Sequence, residues 1–435
     1  MFNNSITDIQ HFVQTLLEQI KALTKELLLS RKEITELREK ESKLRQTNSL
    51  RQKSDRPNGG QPGHKGITLE ISSTPDEVIV HSPDYCTACG GSLIDTQAQT
   101  SETRQIVDIP LPIRTVVINH VCETKRCTCG HCTSSDFPAY VKTGVSYGPN
   151  IQATVAYLSV CQHVPFKRLV QILEMFYGVS LSQGTISNIL NRMHKQAQPG
   201  YQAICQQIEI ASVAGADETG CKVNGQLQWM WTFQNELVTY IFQHSSRGKT
   251  VIDQHFPNGL PNTILVTDRH SSYFNMETAG HQLCLAHLLR NLIYLEELDT
   301  GQKWSTQMLE LIRDGIHQRK SKTFEQIDKQ HFKDRFNILM QQNLLHLDSK
   351  FQGLQKSLIK HQGDLFTFLE RKDVPPDNNA SERTIRPIKV KMKVSGMFKT
   401  PDGGDAFSTL YSIANTAIKN NQNPFEALIA VAKNC

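Results

Sequence analysis

Between residues 10 and 47, apolar side chains recur in alternating steps of three and four, at Val13, Leu16, Ile20, Leu23, Leu27, Ile34, Leu37 and Leu44. That spacing predicts one long helix with a coiled-coil seam, weakened where Ser30 and Glu41 fall on it. The seam either pairs with a second chain or packs on the protein's own body. Residues 48–66, NSLRQKSDRPNGGQPGHKG, have too few apolar side chains to bury a core and read as a basic linker. Residues 102–121 alternate apolar and polar in the manner of strands. Residues 148–197 return to helical spacing, with one helix opening at Pro165 and ending at Gly178 and another capped by Ser182. A helix, a short turn and a helix make either a DNA-reading helix-turn-helix, with Lys167, Arg168, Arg192 and Lys195 toward phosphate, or a plain packing module.

From about residue 209 the period shortens to two. EIASVAGADETG, QLQWMWTFQN and ELVTYIFQHS predict three antiparallel strands, with Asp217 ending the first and Asn235 in the second turn. GKTVIDQHF predicts a helix, NTILVTDRHSSYF a fourth strand ending in Asp268, and HQLCLAHLLRNLIYLEEL a further helix. This is the element order of a ribonuclease H-like core, which carries one acid on its first strand and another at the end of its fourth. Residues 299–372 are helical, charged and too long for a connection, so they read as a helical insertion.

Composition narrows the class only slightly. The chain has 435 residues, 38% of them apolar and 20% charged, with a net charge of +5. These values suit several soluble globular domains and a mild preference for polyanions. No apolar run approaches the roughly 18 residues of a membrane span, and the amino terminus lacks a signal-peptide pattern. The expectation is a cytoplasmic protein with no membrane partner.

The eleven cysteines are not scattered evenly. Cys86 and Cys89 form C-x-x-C before two glycines, and HVCETKRCTCGHC carries Cys122, Cys127, Cys129 and Cys132. Two such knuckles joined by a hairpin predict a zinc ribbon, because thiolates two residues apart in a tight turn can take adjacent corners of a tetrahedron. Four of Cys86, Cys89, Cys127, Cys129 and Cys132 would hold the Zn²⁺, with Cys122 placed in a strand. Unmetallated thiols are the alternative.

The densest chemistry lies in PPDNNASERTIRPIKVKMKVSGMFKTPDGG, where Glu382 sits among Arg383, Arg386, Lys389, Lys391, Lys393 and Lys399. A carboxylate can hold a metal there while the cations hold phosphate. Together with Asp217 and Asp268 it makes three acids, enough for two divalent ions and hence for phosphodiester chemistry. Glu218 competes with Asp217, but neighbours on a strand point to opposite faces, so only one joins the site. Asp377 is placed to cap the helix that carries Glu382.

GGQPGHKG, the C-x-x-C-G knuckle, ADETG, LVTDRHSSY, CLAHLLRNL and DNNASERTIRP occur in this order over almost the whole chain. On these motifs the sequence resembles the insertion sequence 66 family of transposases. The resemblance implies a DDE transposase in which Asp217, Asp268 and Glu382 hold two Mg²⁺ or Mn²⁺ ions, Asp217 bridging them. It implies binding of terminal inverted repeats in double-stranded DNA, strand cleavage, and strand transfer to a target. It also implies a homodimer or higher oligomer, accessory proteins from the same element, and a bacterial, nucleoid-associated location. Cys284 and His287 match a C/H motif of the family, as a metal pair or as buried side chains. One cysteine exceeds the paired knuckle, which leaves the fourth zinc ligand open.

The expected organisation is α/β and multidomain. It runs as a coiled-coil helix (1–47), a basic linker (48–75), a zinc-ribbon-like domain (76–142), a helical DNA-binding module (143–205) and a ribonuclease H-like catalytic domain (206–435). The cations Arg383, Arg386, Lys389, Lys391 and Lys393 are the expected DNA contacts. A DNA-binding regulator without catalysis, or a metal-dependent nuclease without strand transfer, are the alternatives in function.

Overall fold

The computed structural model describes residues 14, 18–27, 29–30, 71–97, 104–107, 115–129, 131–138, 140–141 and 144–433. Contacts divide the chain into two compact units, residues 50–114 and residues 1–49 with 115–435. In the smaller unit, Tyr85 bridges Ser92 in antiparallel fashion. The Cys86 amide donates to the Gly91 carbonyl at 2.8 Å, closing a knuckle that turns through Gly90 at φ 74°.

In the larger unit, residues 18–27 form helix α1, on which the seam residues Ile20, Leu23 and Leu27 are exposed. Val13, Leu16, Ile34, Leu37 and Leu44 lie outside the described residues. The second knuckle is flanked by β1 (Thr124–Arg126) and β2 (Cys132–Ser134), which pair antiparallel. The strands expected within 102–121 are not regular strands where described, at 104–107 and 115–121. Val116, Val117, Ile118 and Val121 are exposed there, and alternation without a ladder partner does not make a sheet.

Four helices follow: α2 (Pro149–Ala156), continued by a π turn over Tyr157–Cys161, α3 (Phe166–Tyr177), α4 (Gln183–Gln196) and α5 (Gln198–Glu209). Pro165 and Gly178 bound α3, and the Ser182 hydroxyl accepts from the Thr185 amide, as the sequence predicts.

The central sheet has five strands: β3 (Val213–Val223), β4 (Gln226–Gln234), β5 (Thr239–His244), β6 (Leu260–Thr267) and β7 (Thr278–Leu283). Their spatial order is β5-β4-β3-β6-β7. β3, β4 and β5 pair antiparallel, whereas β6 runs parallel to β3 and β7 parallel to β6. β3 continues past Asp217 to Val223, so Asp217 lies within the strand rather than at its end. Helix α6 (Lys249–His255) and the short α7 (Ser271–Phe274) join the later strands. β7 absorbs His281–Leu283, the start of the predicted helix, and leaves α8 at Leu285–Leu298. His281, Gln282 and Leu283 are too few to show a strand period of their own, so the helical pattern after them masks the strand.

The insertion is helical, with α9 (Trp304–Ser321), α10 (Lys329–Met340), α11 (Ser349–Lys360) and α12 (Thr367–Glu370). Its core of Trp304, Phe332, Phe351 and Phe368 is continuous with Leu288, Leu292 and Leu295 of α8. The chain closes with α13 (Asn379–Ser395), α14 (Pro401–Lys419) and α15 (Pro424–Lys433). Leu169, Ile186 and Met193 of the early helices share a core with Phe407, Leu410 and Leu428 of the last two. The boundary expected at 205/206 therefore does not separate two cores. The helices before the sheet and those at the chain's end bury one apolar surface together.

Candidate active site

Strand register brings the first two acids together. β3 pairs parallel with β6 in a register that sets Gly215 against Val266. Two residues further along each chain come Asp217 and Asp268, and a period of two keeps both on the face they share with Gly215 and Val266. The third acid arrives on α13, which crosses β3 on that face. A Cβ on Gly215 would meet the Asn378 and Ser381 side chains at 2.5 and 2.6 Å, so only glycine lets the helix start this close. Glu382 sits one turn into α13, its amide donating to the Asn378 carbonyl at 3.2 Å.

A buried hub ties the three elements together. The Cys284 amide donates to the Thr267 carbonyl, next to Asp268, at 2.7 Å. Its thiol accepts from the Asn378 amide at 3.2 Å. The Asn378 side-chain amide donates to the Ala216 carbonyl, next to Asp217, at 2.6 Å, and the Ser381 hydroxyl donates to its oxygen at 2.6 Å. Asp217 and Asp268 thus each follow a carbonyl bound by the Cys284–Asn378 pair, and Glu382 lies one helical turn from Asn378. Asp377 accepts from the Asn379 amide at 3.0 Å, the capping role its loop position predicts.

The acids differ in surroundings. Burial pushes the Asp217 carboxyl up to about 7, reinforced by the carboxylates of Glu218, Asp268 and Glu382. Such mutual repulsion is what a divalent cation relieves, so the residues present fit one. Glu382 accepts from Arg290 at 2.9 Å and lies 3.7 Å from the His287 ring, both on α8. Glu218 faces the other side of β3, where Arg247 reaches it at 2.5 Å and Tyr273 donates to it. Its neighbour Asp217 accepts from the Glu218 amide at 2.9 Å, and among the described residues no ion pair reaches it.

Among the described residues, Cys284, His287 and Glu382 form the one group of three potential ligand atoms, all within 4.8 Å of one another. Burial pushes the Cys284 thiol up to about 11, and it already serves the Asn378 amide. The thiols of the knuckles behave oppositely. The Cys89 and Ala88 amides hold Cys86 below the usual thiol range, and the Cys129 amide does the same for Cys127. Amides aimed at sulfur favour thiolate, the form that binds zinc.

Of the cations expected to contact DNA, Arg383, Arg386, Lys389 and Lys393 are exposed along α13. Lys391 is the exception. It is buried, its ammonium donates to the Ser159 carbonyl at 3.1 Å, and burial lowers it to about 8. The helical period turns it inward, away from phosphate. Asn378, Ser381, Gly215 and Arg290 were not singled out by sequence reasoning. Asn378 and Ser381 stand inside DNNASERTIRP as small polar residues among charged ones, and no local pattern marks them as the pair that fixes the helix.

Comparison with known proteins places the chain in a family. Residues 144–406 match the family model described as Transposase IS66 family. Residues 83–130 match one described as zinc-finger binding domain of transposase IS66. An uncharacterized protein of Sinorhizobium fredii, y4jD, is 22% identical over 423 residues, covering 87% of this chain and 81% of that protein. No described helix is long and apolar enough to cross a membrane.

Proposed function

This chain belongs to the IS66 transposase family, and from that premise we propose that it cuts and joins double-stranded DNA at the ends of an insertion sequence, with Asp217, Asp268 and Glu382 as its metal-holding acids. The observation that carries this reading is the convergence of the three acids around the Cys284–Asn378 hub, with Asp217 crowded by carboxylates and bonded to the Glu218 amide. The strand order, with the added acid-bearing helix on one face, supports a ribonuclease H-like core. Two Mg²⁺ or Mn²⁺ ions held by these acids would activate the attacking water or 3′-hydroxyl and stabilise the leaving oxygen.

The chain's own groups do the positioning. Arg290 holds Glu382 in its rotamer, and Cys284 acts as a brace rather than a ligand. Arg383, Arg386, Lys389 and Lys393 form a rail about 15 Å long on α13 that holds phosphates leading away from the acids. The zinc-finger match supports a structural Zn²⁺, for which four of Cys86, Cys89, Cys127, Cys129 and Cys132 are the expected thiolates. The exposed seam of α1 pairs protomers, so that both element ends are cut together. Accessory proteins of the same element and a nucleoid location in a bacterial cytoplasm belong to the same reading.

The test is a strand-joining assay with purified protein, Mg²⁺ or Mn²⁺ and a labelled duplex carrying the element end, with Asp268→Asn as control. Joined product that disappears in the variant is the expected result. Cleavage without joining would favour a nuclease, and binding with neither would favour a regulator.

A further inference from the structure

Beyond the acids, α8 carries a polar stripe that leads elsewhere. His287, Arg290, Asn291 and Tyr294 are spaced three, four and seven apart and so share one helix face. The first two touch Glu382. The last two open into a cleft of about 350 Å³ lined by Arg269, Asn291, Tyr294, Leu295, Lys350, Gly353 and Leu354. That volume is at the small end of ligand pockets, which run from about 300 to 1,000 Å³.

The lining has a definite chemistry. It contains two cations and no carboxylate. Arg269 directly follows Asp268 in sequence, so one wall of the cleft adjoins the acids. Tyr294 offers an aromatic face and Asn291 an amide with both donor and acceptor. The Lys350 ammonium lies 5.2 Å from the centre of the Tyr294 ring and donates to its hydroxyl at 2.8 Å. The opposite wall comes from α11, and a Cβ on Gly353 would meet nothing within 4 Å, which leaves that side open. A partly buried aromatic ring with one cation at its edge and a second on the cleft wall suits one base and its phosphate.

We propose that this cleft holds a single nucleotide of the DNA strand, turned out of its stack, within about three nucleotides of the cleaved phosphodiester. The distance follows from the helix: His287 to Tyr294 is seven residues, or about 10 Å, against about 3.4 Å per nucleotide along one strand. The base stacks on Tyr294, Asn291 reads its edge, and Lys350 moves from the tyrosine hydroxyl to the phosphate beside Arg269. The helical insertion then supplies one wall of a nucleotide site. The proposal rests on the transposase reading above and deepens it.

The experiment is a protein-by-DNA cycle using full-length chain and the labelled element end. Tyr294→Ala, Tyr294→Phe and Lys350→Ala are each assayed on intact DNA and on DNA made abasic at single positions up to three from the scissile bond. Tyr294→Ala should lower cleavage about five- to a hundredfold on intact DNA, the range expected for losing one stacked base. Tyr294→Phe should stay within about twofold, since it keeps the ring. Lys350→Ala should weaken binding and reduce the salt slope by about one. At one abasic position wild type should fall to the level of Tyr294→Ala, while that variant falls no further. A tyrosine needed only for folding cannot produce that loss of additivity. Equal penalties for Tyr294→Ala at every abasic position, or wild-type cleavage by that variant, overturn the site while the transposase reading stands. A wild-type protein that neither binds nor cleaves element ends removes that reading, and the cleft assignment with it.

Discussion

Asp217 and Glu218 are adjacent, equally charged and on one strand, yet the two faces of β3 treat them oppositely. Glu218 is buried and answered by the protein itself, with Arg247 at 2.5 Å and the Tyr273 hydroxyl as donor. Arg247 is in turn seated over the Trp229 ring at 4.6 Å. Asp217 looks across at Asp268 and Glu382, and repulsion adds to burial in raising it to about 7. One carboxylate is answered within the fold, and the other meets no ion-pair partner among the described residues. The two acids are therefore distinguished by partner rather than by charge, and the reading proposed above assigns a metal to the unanswered one. This fits the tendency of perturbed groups to collect where chemistry is done.

The sharpest way to break this contrast is to neutralise each acid in turn. Asp217→Asn should lower Mg²⁺-dependent strand cleavage by about a thousandfold or more while element-end binding persists. Glu218→Ala should leave the rate per folded molecule within a few-fold. Single-turnover cleavage on matched folded protein reads both. Comparable losses in the two variants would show that the faces are not functionally distinct.

The second effect runs the other way. Glu218→Ala strips the partner from the buried Tyr273 hydroxyl and from the part-exposed Arg247, and should destabilise the fold by about 3 kcal/mol, the upper end for leaving a buried polar group unsatisfied. Asp217→Asn should cost nothing of that kind. Thermal melts compared at one pH test the difference, and an unchanged midpoint for Glu218→Ala would sink the assignment of Glu218 as a structural group.

How much of this could be read beforehand divides along the same line. The strand that runs up to Asp268 and the caps at Pro165, Gly178 and Ser182 are local signals, and the structure places them as their patterns predict, whereas β3 runs on past Asp217. That only one of Asp217 and Glu218 would enter the site also followed from the period of two. Arg247 and Tyr273, which decide between them, lie 29 and 55 residues away from Glu218, beyond any pattern in sequence. The Cys284–Asn378 bond spans 94 residues for the same reason. Lys391 shows the converse: a cation in a basic run looks exposed until the helix that carries it is packed. Its partner, the Ser159 carbonyl, lies in the π turn that ends the α2 segment, where the last carbonyls lack helical partners.

The smallest effect is a pH dependence, and its sign follows from Asp217 alone. In the unfolded chain this carboxyl titrates near 3.8, whereas in the metal-free fold it titrates near 7. Below about pH 4 both states hold the proton and the group contributes nothing. Between there and pH 7 the unfolded state releases its proton while the fold retains it, so each step upward favours unfolding. Metal-free protein should therefore lose stability relative to Asp217→Asn as pH rises through this window, and lose no more above it. The residual access of Asp217 to water keeps the difference to roughly 2 kcal/mol, a few degrees in melting midpoint. His255, which burial lowers to about 4, titrates within the same window with the opposite sign, and taking the difference between the two proteins cancels it. Mg²⁺ added at pH 8 should close the gap, because a cation favours the ionised carboxylate that the metal-free fold resists. Parallel melting curves across pH for the two proteins would show that Asp217 is already satisfied within the fold, and the contrast between the two faces of β3 would lose its basis.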